Sequence, residues 1–171
     1  MRIVFRVLVV AVACSVLLAE ERPDTKQKDL EAWAKSLDRE SVHKAVIAAE
    51  QDLLGEAGEK TRPVLAVYFD DVDYDVCLDL VGSLLDTKDK LSDAVFWQFV
   101  FATGDFVVQH PDQAKEKYAY LLAGLESALR SYEHVREKKP VAKVDFLDHL
   151  IALRNEGHLG EHVRSHMCEK K

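Results

Sequence analysis

The chain is 171 residues long and carries 30 acidic against 23 basic residues, a formal charge of −7. That balance argues against nucleic acid or an anionic membrane as the main partner, because both reward clustered Lys and Arg. It leaves cationic partners, and the length suits one domain with a self-sufficient core.

Residues 1–19 read as a secretory signal peptide. Arg2 and Arg6 supply the positive start, Val7 to Ala19 the short apolar run, and Ala19 the small residue at the cut. Cleavage there leaves an all-helical domain over 20–171. Losing two arginines takes its charge to about −9. Retention as an anchor is disfavoured, since Arg6 shortens the run below the ~20 apolar residues of a spanning helix. Lipidation at Cys14 is a further alternative, but Val16, Leu17 and Leu18 keep the run apolar where a lipidated cysteine opens a polar tether. The expectation is therefore a secreted or periplasmic protein with no stable membrane span. Asn155, the single asparagine, is followed by Glu156 and Gly157 and makes no glycosylation sequon.

Helical periodicity recurs through the rest of the chain. Leu30, Trp33, Ala34 and Leu37 form a first stripe, and Val42, Ala45, Val46, Ala49 and Leu53 a second, which Gly55 and Gly58 are expected to end. Thr61 with Pro63 predicts the next helix start. Val64–Phe69 is the one segment with strand character, and it is assigned helix because no second strand is offered for pairing. Asp75–Leu85 continues as helix. Ser92 is the expected cap of the most apolar helix, Asp93–Gln109, whose polar residues Gln98, Asp105 and Gln109 fall with Ala102 on one narrow stripe. That stripe is expected to face water, with Asp105 at the surface. Pro111 opens a long amphipathic helix through Val135 that Pro140 breaks; Asp145–Arg154 and His158–Cys168 follow, divided by Gly157.

The fold class is all-α, about seven helices packed as antiparallel hairpins, because short connections favour that packing. The spacing of Pro63 and Pro111 is near the ~40–47 residues of HEAT-like repeats, yet no residue signature recurs at that offset. An irregular helical bundle and a short α-solenoid both fit.

Chemistry concentrates near the C-terminus. His158, His162 and His166 share one side of a helix at i, i+4 and i+8. Adjacent pairs can bind zinc, with Zn–N of ~2.0–2.1 Å; the outer two lie about 12 Å apart and cannot share one ion. Cys168, His149 or a carboxylate such as Glu161 would complete a site. The string His158-Leu159-Gly160-Glu161-His162 resembles the inverted zinc-peptidase motif, which implies two zinc-binding histidines and a glutamate activating a metal-bound water. It departs from that family at Gly160, which weakens a helix mid-motif, and little chain follows for a distant third ligand. Asp71, Asp73 and Asp75 match the first ligand positions of an EF-hand loop, but Val76 and Gly82 replace its required Gly and Glu. A looser calcium site, or aspartates of the 70–79 cluster capping the next helix, are the remaining readings. Tyr118, Tyr120 and Tyr132 with Trp97 read as core.

Two cysteines remain beyond the leader. An oxidising compartment permits a disulfide between Cys77 and Cys168; the alternative is a buried free Cys77 and a loose terminal thiol. The functional expectation is an exported, non-enzymatic scaffold for a protein or peptide partner. Divalent-metal binding through the histidine stripe is the rival, with zinc there or calcium at the aspartate cluster as the candidate ions, and a zinc-dependent hydrolase stands last.

Overall fold

The structure, a computed structural model describing residues 23–87 and 89–168, is all-helical, with no strand among those residues. Its helices are α1 (Pro23–Ser36), α2 (Arg39–Gln51), α3 (Glu56–Asp70), α4 (Gly82–Leu85), α5 (Lys90–Gln109), α6 (Lys117–Lys138), α7 (Asp145–Asn155) and α8 (Leu159–His166). A 3-10 turn at Leu78–Leu80 precedes α4. The expected leader, residues 1–19, and Cys14 within it lie outside the described residues.

These helices pack into one domain around α5 and α6, the pair in most extensive contact. Helix α2 touches both, and α8 reaches across to α6. Contacts that skip sequence neighbours in this way make a bundle; in a solenoid each repeat meets only its neighbours. One core cluster unites residues 77–84 with α5, α6, α7 and α8 through Phe99, Leu121, Leu125, Tyr132 and Leu150. A second, built from Val42, Val46, Leu65, Phe69 and Phe101, glues α2 and α3 to the opposite side of α5. By length and composition α5 could cross a membrane, but most of it is buried in this core. Tyr120 and Tyr132 are core residues, while Tyr118 and Trp97 are half-buried.

Several boundaries differ from the sequence reading. Gly55 and Gly58 open α3 and do not close α2: Gly55 caps it, and a Cβ on Gly58 would collide with the Leu53 carbonyl. Pro63 therefore sits inside α3, where it removes one backbone hydrogen bond without stopping the helix. Helix α5 starts at Lys90, because Asp89 is its cap, accepting the N–H groups of Leu91 (3.0 Å) and Ser92 (2.9 Å). Helix α6 starts at Lys117, and the turns from Pro111 to Glu116 precede it. Val64–Phe69 is helical, as expected.

The largest departure is at Asp75–Leu85. Residues 73–77 take no regular secondary structure, and only the 3-10 turn and α4 are helical. From Asp71 to Val76 aspartates alternate with Val72, Tyr74 and Val76, and that period-two pattern turns the apolar members inward and the aspartates out. Tyr74 anchors the strip, its hydroxyl donating to the Val100 carbonyl at 3.2 Å.

Close approach of α5 and α6 depends on Gly124. A Cβ there would collide with Thr103 Oγ1 and lie 2.9 Å from the Phe99 carbonyl oxygen, both on α5. Gly82, by contrast, has open space around it. Gly124→Ala is expected to destabilise the domain by about 1–3 kcal/mol through overpacking, while Gly82→Ala stays near neutral. Urea denaturation of the two variants checks this.

Candidate functional site

The C-terminal histidines are dispersed by the fold. His158 precedes α8 as its cap residue, His162 and His166 lie on α8, and His149 is on the exposed side of α7. The His162 and His166 rings stack with centroids 4.2 Å apart, and His166 Nδ1 donates to the His162 carbonyl at 3.0 Å. Glu161 is exposed, and Cys168 turns toward Cys77. Among the described residues, no three His, Cys, Asp or Glu side chains gather closely enough to hold a metal ion. That covers the acidic corner too. Its aspartates cap no helix, since the 3-10 turn and α4 both start without a side-chain cap. Carboxylates elsewhere do meet helix starts: Asp38 and Asp89 cap α2 and α5, and Asp52 accepts the Ala57 N–H in the first turn of α3 at 3.3 Å.

Partial burial, with His166 and His149 nearby, holds His162 below the ordinary imidazole value of 6.5. A depressed histidine contributes stability that is full above the unfolded value and lost as pH falls through the folded one. Between about pH 8 and about pH 5, the wild-type melting temperature should therefore fall further than that of His162→Gln. Parallel thermal melts check the difference.

The polar stripe of α5 is not at the surface. Gln98 is almost fully buried, and its side-chain amide donates to the Val46 carbonyl (3.2 Å) and Ser127 Oγ (2.9 Å). Asp105 is 6% exposed and accepts from His43 Nδ1 at 2.6 Å, with Gln109 Nε2 donating to its other oxygen at 3.2 Å. Gln109 also donates to the Arg39 carbonyl at 2.9 Å. Helix α2, not water, covers the stripe.

One turn further along α2, Glu50 is buried at the same seam. It accepts from Ser127 Oγ (2.6 Å) and from Arg130 Nε (2.8 Å) and Nη2 (3.0 Å). The sequence carries a signal for Glu50: it stands four residues after Val46 and three before Leu53, on the inward face of α2. His43 with Asp105 makes two members of a nucleophilic triad, but no hydroxyl among the described residues is hydrogen-bonded to His43. Thr61, Thr103 and Ser131 donate to carbonyls of their own helices, and Ser127 donates to Glu50. Removing the buried carboxylate would orphan Ser127 and part of Arg130. Glu50→Ala is expected to cost about 2 kcal/mol, somewhat moderated because the Arg130 side chain is 47% exposed and can rehydrate. Chemical denaturation measures it.

A shallow cleft of about 610 Å³ lies between the end of α6, the turn after it and α7. Arg130, Glu133, His134, Arg136, Glu137, Pro140 and Ile151 line it. A smaller hollow of about 150 Å³ adjoins it, shares His134, and runs between residues 51–55 and the last turn of α6. The walls are fixed. Arg154 holds Glu133 through both guanidinium nitrogens, and Arg136 Nη1 meets Asp148 Oδ1 at 2.7 Å. Tyr132 donates to the same Asp148 oxygen (3.0 Å) and accepts the Val144 N–H (2.8 Å), which pins the intervening turn.

No family model, curated protein or solved structure matches this chain.

Proposed function

We propose that this protein is an exported, non-enzymatic helical domain that binds a protein or peptide segment, and that the cleft at the end of α6 receives it. One observation carries the reading. The cleft has the volume of a small-molecule site but is open and ringed by ionisable side chains, whereas small-molecule pockets are enclosed. An extended peptide fits such a surface better than a compact ligand does.

The charge pattern narrows the partner. Arg130, Arg136 and Glu133 are engaged internally by Glu50, Asp148 and Arg154. Glu137 is 77% exposed, and among the described residues its ionic neighbour is His134, at 3.9 Å. Ile151 and Pro140 supply apolar surface alongside. The matching ligand carries an apolar residue next to a Lys or Arg, in keeping with the acidic net charge. Walls already held by ion pairs lower the ordering cost of binding.

Random peptides displayed against the purified domain test this. The expected result is an enriched apolar–basic family whose binding weakens at least ~10-fold in Ile151→Glu, a loss of about 1.4 kcal/mol, and in Glu137→Arg. Absence of enrichment, or peptides binding Ile151→Glu as well as wild type, contradicts the reading.

A further inference from the structure

Independently of that cleft, we propose that Cys77 and Cys168 form an intramolecular disulfide that clasps α8 to the body of the domain, with Lys117 assisting the attack by Cys168. The two residues are 91 positions apart in the chain, yet the Cys168 N–H donates to Cys77 Sγ at 2.5 Å. Cys77 Sγ in turn donates to the His166 carbonyl at 3.5 Å. The Cys168 side chain lies within hydrogen-bonding reach of both the Cys77 thiol and the Lys117 ammonium. Lys117 is 15% exposed and tied to Asp75, two residues before Cys77, at 3.3 Å. A buried thiol, a partly exposed thiol and an ammonium thus converge where the strip 73–77 meets the end of α8.

The roles of the two sulfurs differ. Cys168 is half-buried just past α8, where an outside disulfide can reach its sulfur, and the Lys117 ammonium lies beside it. Cys77 is fully enclosed, and burial, with the Cys168 contact, pushes its thiol up to about 11. Cys168 is therefore the attacker and Cys77 the resolving thiol.

The oxidant is a small-molecule disulfide of the glutathione class. Cys168 thiolate attacks one of its sulfurs, forming a mixed disulfide and expelling one glutathione thiolate. Cys77, giving up its proton, then attacks Cys168 Sγ and expels the second. Two protein thiols are oxidised, one disulfide is reduced, and the two protons lost by the protein end on the two released thiols.

Closing this bond ties the end of α8 to the segment before α4 and closes a loop that contains α4 to α8. Without it α8 is held mainly by the buried Leu159 and Val163. Constraining a loop of that size restricts the unfolded chain, and the expected effect is a rise in melting temperature of about 10 °C.

The test equilibrates the full chain with oxidised glutathione, alkylates free thiols, and maps a tryptic digest by mass spectrometry. The expected product joins the peptides 61–88 and 165–170, two daltons below the sum of the reduced peptides, and separates on reduction. Reduction should lower the melting temperature by about 10 °C. Cys168→Ser should melt like the reduced protein while keeping its helical circular dichroism. Lys117→Met should slow oxidation several-fold, and Lys117→Arg should restore the rate. Cysteines that stay alkylatable, or that pair with Cys14 or a second chain, overturn the disulfide. Equal melting of oxidised and reduced protein overturns the clasp. An unchanged rate in Lys117→Met overturns the role of Lys117.

Discussion

The polar stripe of α5 is the constraint the domain is built around. A 20-residue helix at the centre of a bundle is covered on nearly every side, yet Gln98, Asp105 and Gln109 put amides and a carboxyl on one of its faces. Burying such groups without partners costs a few kcal/mol each. Helix α2 supplies those partners: the Val46 and Arg39 carbonyls for the two glutamines, and His43 for Asp105. Helix α6 closes the seam through Ser127, which bridges Gln98 and Glu50. A directional network of this kind fixes the register of three helices, something hydrocarbon contacts alone do loosely.

That seam also sets what the surface can offer. With Glu50 bound to Arg130, the inner wall of the cleft at the end of α6 is neutralised from within, and Glu137 and Ile151 are left facing outward beside it. At the other end, the Asp-rich strip 71–76 runs along α5 by way of Tyr74, and this carries Cys77 to the place where α8 finishes. Both functional proposals thus concern elements hung on the α5–α6 pair, one at each end.

The helices themselves were legible, because apolar spacing near 3.6 residues survives in almost every one. Their boundaries were less so. Proline at Pro63 was taken for a first turn, yet a helix started by the cramped Gly55–Gly58 entry runs through it. The 71–76 alternation is too short to stand out from sequence, and its last two residues, Asp75 and Val76, fall inside the expected helix Asp75–Leu85 although aspartate is a poor helix former. The stripe on α5 was read correctly as a stripe and wrongly as solvent-facing. Periodicity shows which residues share a face; it does not show whether water or another helix covers it. Glu50 was detectable from its inward position on α2, but its partner Arg130, 80 residues away, was not. The cysteine pair is visible in the sequence only as two alternatives; the structure holds both thiols free and brings them together.

The exchange of the Gln98 side-chain amide protons with solvent, followed by NMR, tests the central claim most directly. If α2 and α6 cover the stripe, those protons exchange far more slowly than the amide of Gln27, which is exposed on α1. Exchange of Gln98 at the rate of Gln27 would put the stripe in water and remove the seam on which this account of the fold depends.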